Sequence, residues 1–487
     1  MHLRFRVSVS LVASLVLCGG LRSAVAASPR ETALQAARHA TAFLAEHVAS
    51  HGGYVWRYSD DLTLREGEGV VDETTIWIQP PGTPAVGDAF VRLFEATGEP
   101  LFRDAALAAA EALRQGQMRS GGWQASIEFD PERRKKWAYR VNEPQPKQKD
   151  QSSLDDDKTQ SAIRFLIRLD RALGFEHATV HDTVTYALAG LLEKGQFANG
   201  GFPQVWSDTT AAAPFSPATR ATYPETWSRV YQGHQEYWTQ ATLNDNLMSD
   251  VIETLFLAAD VYDEPRYRQA ALCAADFLLL AQMPEPQPAW AQQYNASMHP
   301  IWARKFEPPA ITGGESQSVL RTLLDVFRHT GDERYLEPIP RALAYLDDSV
   351  LPNGQLARFY ELRTNTPLYF TQAYELTEDD SDLPTHYGFT VSSKLPKLRR
   401  DFEKLRSLSV SERTNLVQRS TPFPLPEKKV SEKAMHSIVD ALDERGAWIT
   451  KDGLRYHKQP GPVIDMRQTV ANLCTLADFL AAPPAEK

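Results

Sequence analysis

Four turns rich in glycine and aromatic residues punctuate this chain: HGGYVW at 51, SGGWQ at 120, NGGFPQ at 199 and the degenerate LPNGQLARFY at 351. Each closes a unit of two helical segments. The first segments, such as VGDAFVRLFEATG, SAIRFLIRLDRALG, SDVIETLFLAADVY and SVLRTLLDVFRHTGDERYL, carry apolar residues every three or four positions over helical length. TGEPLF, LGFEHA, YDEPRY and TGDERY then supply a stop and a new start before the second helix. The period is about 65 to 90 residues, suited to a helix hairpin with an elaborated loop. Extended alternation of the strand kind is scarce. The expected fold is all-α: an incomplete (α/α) toroid of repeated helix hairpins, with a cleft formed by loops at one end. Recurrence of the glycine turns at one point of the repeat predicts that they share a rim.

Such a toroid admits several occupants. QMRSGGW at 117 fits a turn of terpene cyclases, sugar-active enzymes use the same architecture, and a noncatalytic glycan-binding protein is a third possibility. Fold alone does not choose among them.

The chain has 487 residues, 43% hydrophobic and 23% charged, which is ordinary globular composition. His2, Arg4 and Arg6 precede an apolar run from Val7 to Leu21, and Ala24-Val25-Ala26 offers a cleavage site. Residues 1–26 therefore read as a signal peptide, and the mature protein as secreted or periplasmic. No other stretch is long enough to span a membrane. Cys273 and Cys474 fall in apolar helical patterns and are expected as buried free thiols. The net charge of −10 disfavours nucleic acid and also a polyanionic substrate, unless a cation reverses the local field. A monomer is expected.

Residues 27–395 are assigned to the toroid, with helix pairs over 27–149 leading into a core over 150–372. Residues 396–487 hold a charged helix, the proline-rich RSTPFPLPEKK and a last helix pair, all read as structural.

Three clusters concentrate polar chemistry. SSLDDDKTQ places Asp155, Asp156 and Asp157, then Lys158 and Thr159, at a helix entrance. YWTQATLNDNLM places Asn244, Asp245 and Asn246 at another. A single residue suffices to cap a helix, and adjacent carboxylates repel unless they share a cation; all-oxygen ligands suit calcium. The third cluster, WARKFEPPAITGGES, brings Trp302, Arg304, Lys305 and Glu307 into one loop. Pro308-Pro309 stiffens that loop, and Gly313-Gly314 lets it turn into the next helix.

WARKFEPPAITGGES, TLNDNLM and ARFYELRTN occur here in the order found in polysaccharide lyase family ten, the pectate lyases, which this sequence resembles over roughly residues 150–372. LDDDKTQ stands where that family has D-N-x-x-T, and NGGFPQ resembles its G-G-W-P-Q turn. The resemblance implies β-elimination of polygalacturonate or a related acidic polysaccharide, with Ca²⁺ as cofactor. It places Arg304 as the catalytic base and Asp155 and Asp245 at the metal, where Asp156, an Asn in the family pattern, is expected to add a further ligand. Lys158, Thr159, Asn244, Asn246, Trp302, Lys305, Glu307 and Arg358 fall to substrate binding. Asp156-Asp157-Lys158 departs from the family pattern and adds charge beside the first acidic position.

Elimination at a 4-linked uronate removes the C5 proton beside an ionised carboxylate, so a nearby cation must absorb the developing charge. Arginine is an awkward base at an ordinary pKa of about 12.5 or more; neighbouring cations such as Lys305 are expected to lower it. An inverting glycoside hydrolase would use the aspartates as acid and base without metal, and a noncatalytic uronan binder would need neither. Terpenoid chemistry ranks last, because no D-x-D-D acid motif is present.

Overall fold

The computed structural model describes residues 28–208, 215–418, 422–423 and 429–482. The expected signal peptide lies outside them, as does most of the proline-rich linker. Among the described residues, no helix is long and apolar enough to cross a membrane.

Among the described residues, thirteen α-helices form the frame: α1 (Pro29–Phe43), α2 (Thr83–Thr97), α3 (Pro100–Gln115), α4 (Lys158–Ala172), α5 (Ala178–Gly190), α6 (Leu247–Tyr262), α7 (Pro265–Leu280), α8 (Gly313–Thr330), α9 (Ile339–Asp348), α10 (Leu395–Arg406), α11 (Val410–Gln418), α12 (Glu432–Asp440) and α13 (Met466–Ala481). The stop and start signals work as the sequence suggests. Gly98 ends α2 at φ 73° and Gly331 ends α8 at φ 68°, while Pro100 and Pro265 open α3 and α7. A proline in the first turn sacrifices a backbone N–H that the helix would leave unpaired anyway.

First helices pack in succession, α13 on α2, α2 on α4, α4 on α6 and α6 on α8, while α3, α5, α7 and α9 each lie against their own first helix. Each hairpin is tied at its base by a short antiparallel strand pair. Thr75–Trp77 pairs with Ser126–Glu128, Ser152–Ser153 with Val205–Trp206, Ala241–Thr242 with Gln293–Tyr294, and Ala310–Thr312 with Phe359–Glu361. The same clasp joins the two ends of the chain, where Arg57–Ser59 pairs with Val463–Asp465. Helix α13 therefore takes α1 as its partner, so the hairpin of this unit is assembled from opposite ends of the sequence. The sequence suggests instead that the last two helical pieces pair together; α12 lies against both α1 and α13.

The glycine turns do different work from that expected. Tyr54, Trp123 and Phe202 are fully buried rather than lining a rim. The Trp123 indole N–H donates to the Leu113 carbonyl at the end of α3 (2.8 Å), and Trp290 repeats this with Leu278 at the end of α7 (2.8 Å). Gly52, Gly121 and Gly200 each have positive φ and touch backbone of the next unit's second helix. At Gly200 (φ 89°) an added Cβ would sit 1.9 Å from the Cys273 carbonyl oxygen. In the last turn Gly354 meets nothing within 4 Å, because no further outer helix follows. The glycines thus allow neighbouring hairpins to close on one another.

The two thiols are free but not buried. Cys273 is exposed and Cys474 half-buried. Neither belongs to the buried residues of its helix, and the three-and-four spacing alone does not separate core from flank.

Candidate active site

The strands Ser152–Ser153 and Ala241–Thr242 each deliver a short loop to the N-terminal end of the first helix that follows. At α4 and α6 the loops are superposable in backbone terms. Asp155–Asp157 and Asn244–Asn246 form single 3₁₀ turns, with Asp156 at φ 48° and ψ 43° and Asp245 at φ 51° and ψ 37°. Asp157 (φ 61°) and Asn246 (φ 59°) follow in the same left-handed region. Asp and Asn enter this region more readily than most side chains, which explains both triplets locally. Neither Asp157 nor Asn246 makes a side-chain capping bond, so the acidic runs are not helix caps. In this register Asp156 is the counterpart of Asp245, and Asp155 corresponds to Asn244.

This geometry gathers Asp155, Asp156 and Asp245, each offering one oxygen, with all three oxygens within 4.8 Å of one another. Burial, then the like charges of Asp156 and Asp155, push Asp245 up to about 7. Burial and Asp155 likewise raise Asp156. The Asn244 side-chain oxygen is buried without a hydrogen-bond partner. Three converging carboxylates that repel one another, with an unpartnered oxygen beside them, fit a hard cation with all-oxygen ligands such as Ca²⁺. Asp155 also accepts from Lys158 Nζ (2.6 Å) and from Gln204, and Asp156 accepts from Gln79 Nε2 (3.0 Å). Gln204, not among the expected site residues, ends the NGGFPQ turn, and that turn is the signal that marks it. Gln79 carries no signal in the sequence.

The WARKFEPP loop enters from before α8. Arg304 is gripped by Glu307, with Nε to Oε2 at 2.8 Å, Nη2 to Oε1 at 2.5 Å and its backbone N–H to Oε2 at 3.1 Å. Its side chain stays 41% exposed, whereas Glu307 is 1% exposed. The guanidinium charge acts on both Asp156 and Asp245, holding each somewhat down. Burial disfavours its cationic form, but the Glu307 pair outweighs burial and leaves Arg304 raised from its ordinary value. The expected lowering by Lys305 does not occur, because Lys305 Nζ turns onto the Tyr374 ring at 3.3 Å from its centroid.

Burial turns several of the residues expected at the substrate inward. Thr159 is fully buried, and its hydroxyl accepts from the Trp123 backbone N–H (3.0 Å). Glu307 is consumed by Arg304, Gln292 Nε2 (3.1 Å) and Tyr387 Oη (3.0 Å). Asn244 is buried, and its amide donates to Asp245 Oδ2 (2.6 Å). Lys158 is 6% exposed and neutralises Asp155 rather than standing open to a sugar. Each follows from facing inward, a direction that residue type does not reveal.

The others keep access. Asn246 accepts from Ser318 Oγ, and Trp302 donates its indole N–H to the Ser228 carbonyl (2.8 Å) with Tyr231 against its ring. Arg358 donates from Nε to the Gly388 carbonyl (2.7 Å) and packs its guanidinium over Tyr387. Tyr387, absent from the expectations, therefore joins Arg358 to Glu307. Asp245, Asn246 and Arg358 open onto a cleft of about 710 Å³ that continues along α8 to the start of α10.

No curated protein matches this sequence significantly. The chain aligns with several solved structures. A mutant family 10 polysaccharide lyase from Cellvibrio cellulosa, in complex with trigalaturonic acid, is 20% identical, with a TM-score of 0.44 over 66% of this chain and 98% of that one. A cellobiose 2-epimerase from Bacillus thermoamylovorans is 12% identical, with a TM-score of 0.45 over 93% and 97%. Residues 117–326, which carry the acidic triplets and the Arg304 loop, match the family model described as pectic acid lyase.

Proposed function

We propose that this cleft cleaves a 4-linked polyuronate, polygalacturonate or a close relative, by β-elimination, with Ca²⁺ held by Asp155, Asp156 and Asp245. The observation that carries the reading is the meeting of three carboxylates from two successive hairpins with a guanidinium from the loop of the third. When bound, the cation withdraws charge from the sugar carboxylate beside C5. It also reconciles a chain of net charge −10 with a polyanion.

In this reaction a base removes the C5 proton, the freed electron pair forms the C4–C5 double bond, and the C4–O4 bond breaks. The departing oxygen keeps that bonding pair and takes up a proton. Arg304 is the base in our reading, acting in its neutral form, with Glu307 fixing the planar group in place. The same ion pair favours the charged form, so turnover is limited on the acid side and rises into alkaline pH. It also supports a second reading, in which Arg304 stays charged and clamps a uronate carboxylate in bidentate fashion.

An inverting hydrolase fits less well. Its two carboxyl groups stand about 6.5 to 9.5 Å apart to admit water, whereas the oxygens here converge within 4.8 Å. The protein is proposed to act as a secreted or periplasmic monomer. A screen of uronans for ultraviolet-absorbing unsaturated product, with and without chelator, tests the proposal. Reducing ends without that absorbance would point to hydrolysis, and neither signal to a binder.

A further inference from the structure

Beyond Asp245 the cleft leaves the matched family segment and runs onto α10. There Lys394, the N-cap residue, and Lys397, in the first turn, line it opposite Arg321 of α8. Positions 314, 318 and 321 lie along one face of α8, so this wall is a continuous strip. The strip is tied down: the Lys394 backbone N–H donates to Gln317 Oε1, and Gln317 Nε2 donates to the Ser392 carbonyl (3.3 Å).

The placement of the lysines is locally unfavourable. Cations oppose the helix dipole at an N-terminus, and α10 has no acidic residue in its first turn. Among the described residues Lys394 and Lys397 form no ion pair, although Asp401 lines the same cleft. Arg321 is engaged only at longer range, by Asp250 and Asp325. A feature that costs local stability and faces a cleft marks a site of use rather than of folding.

Resting on the polyuronate reading, we infer that Lys394, Lys397 and Arg321 form a distal subsite that binds the carboxylates of a longer uronan chain as it runs from the Asp245 end onto α10. The C-terminal segment thereby sets chain-length preference. Exposed charges of this kind act through solvent and are screened by salt, so the contribution accrues over several contacts.

The test is equilibrium binding of galacturonate oligomers of graded length, three to eight units, in calcium buffer. Wild-type protein is compared with Lys394→Gln/Lys397→Gln and with a charge-matched control on the same helix, Lys404→Gln/Arg406→Gln. Affinity of the wild type should rise with length, and the first variant should lose about tenfold of that gain, with the loss fading at high salt. The control should keep the gain. A length gain that survives in Lys394→Gln/Lys397→Gln, one lost equally in the control, or none in the wild type would each overturn the subsite. Unsaturated product is followed in parallel. Its absence, with the length effect intact, would sink the lyase reading and leave the subsite standing.

Discussion

Asp156 and Asp245 occupy the same left-handed backbone position at the entrances to α4 and α6, and with Asp155 they bring three carboxylate oxygens within 4.8 Å. Bringing like charges together in a half-buried site destabilises the metal-free protein. A ligand that binds only the folded state stabilises it by mass action, about 2.7 kcal/mol at a concentration one hundred times its Kd. Calcium should therefore raise the thermal midpoint of the wild type and leave that of Asp156→Asn/Asp245→Asn nearly unmoved. Scanning calorimetry across a calcium titration decides this; an equal shift in both proteins would remove these residues from the metal site.

Burial, with repulsion between carboxylates, sets a pH dependence in chelator. Asp245 is pushed up to about 7 from an ordinary 3.8, chiefly by burial, and Asp250 to about 7 by burial and Asp157. With the folded pKa above the unfolded one, the folded state holds more protons between these values. Their contribution is complete below about pH 4 and is lost as pH rises through 7. The metal-free midpoint should thus fall from pH 4 to 7 on account of these groups, and Asp245→Asn should flatten part of the slope. A slope unchanged by that substitution would show that Asp245 titrates elsewhere.

Arg304→Lys separates base from clamp. Lysine keeps charge but loses the planar fork that Glu307 holds. As the base, Arg304 should cost about 100- to 10,000-fold in kcat when replaced, with oligouronate affinity falling far less. Near-native kcat with a raised KM would make Arg304 a binding residue.

Glu307→Gln addresses the same question through pH. Removing the carboxylate withdraws the largest influence that favours the guanidinium cation. With Arg304 as base, the rise of kcat with pH should move to lower pH while the maximum falls, because the group is held less firmly. A profile that drops without moving would favour the clamp. Hydrogen bonds to a charged group contribute about 1.5 to 3 kcal/mol, so denaturant unfolding should register a loss of that order.

Gly200→Ala should destabilise the fold well beyond the cost of backbone conformation. At φ 89° it places a methyl group 1.9 Å from the Cys273 carbonyl oxygen, whereas Gly98→Ala at φ 73° meets nothing within 4 Å. An alanine held in the left-handed region costs about 1 to 2 kcal/mol, and Gly98→Ala should show that much. Similar unfolding midpoints for the two variants would contradict the close packing of successive hairpins.

The repeat of helix pairs was legible in the sequence because burying one face of a helix imposes a spacing of three and four, and stop and start signals are local. So were the acidic triplets and the Arg304 loop, since their residue types and order carry the family resemblance. Register within the triplets was not: it depends on strand clasps such as Ser152–Ser153 with Val205–Trp206 that alone align one loop with the next. Nor was the role of Glu307 or Thr159, because whether a polar side chain faces the cleft or the core is decided by packing rather than by identity. The pairing of α13 with α1, and the meeting of α10 with α8 around the cleft, join residues far apart in the chain. Such contacts leave no periodicity for a sequence to display, and only the closed tertiary structure determines them.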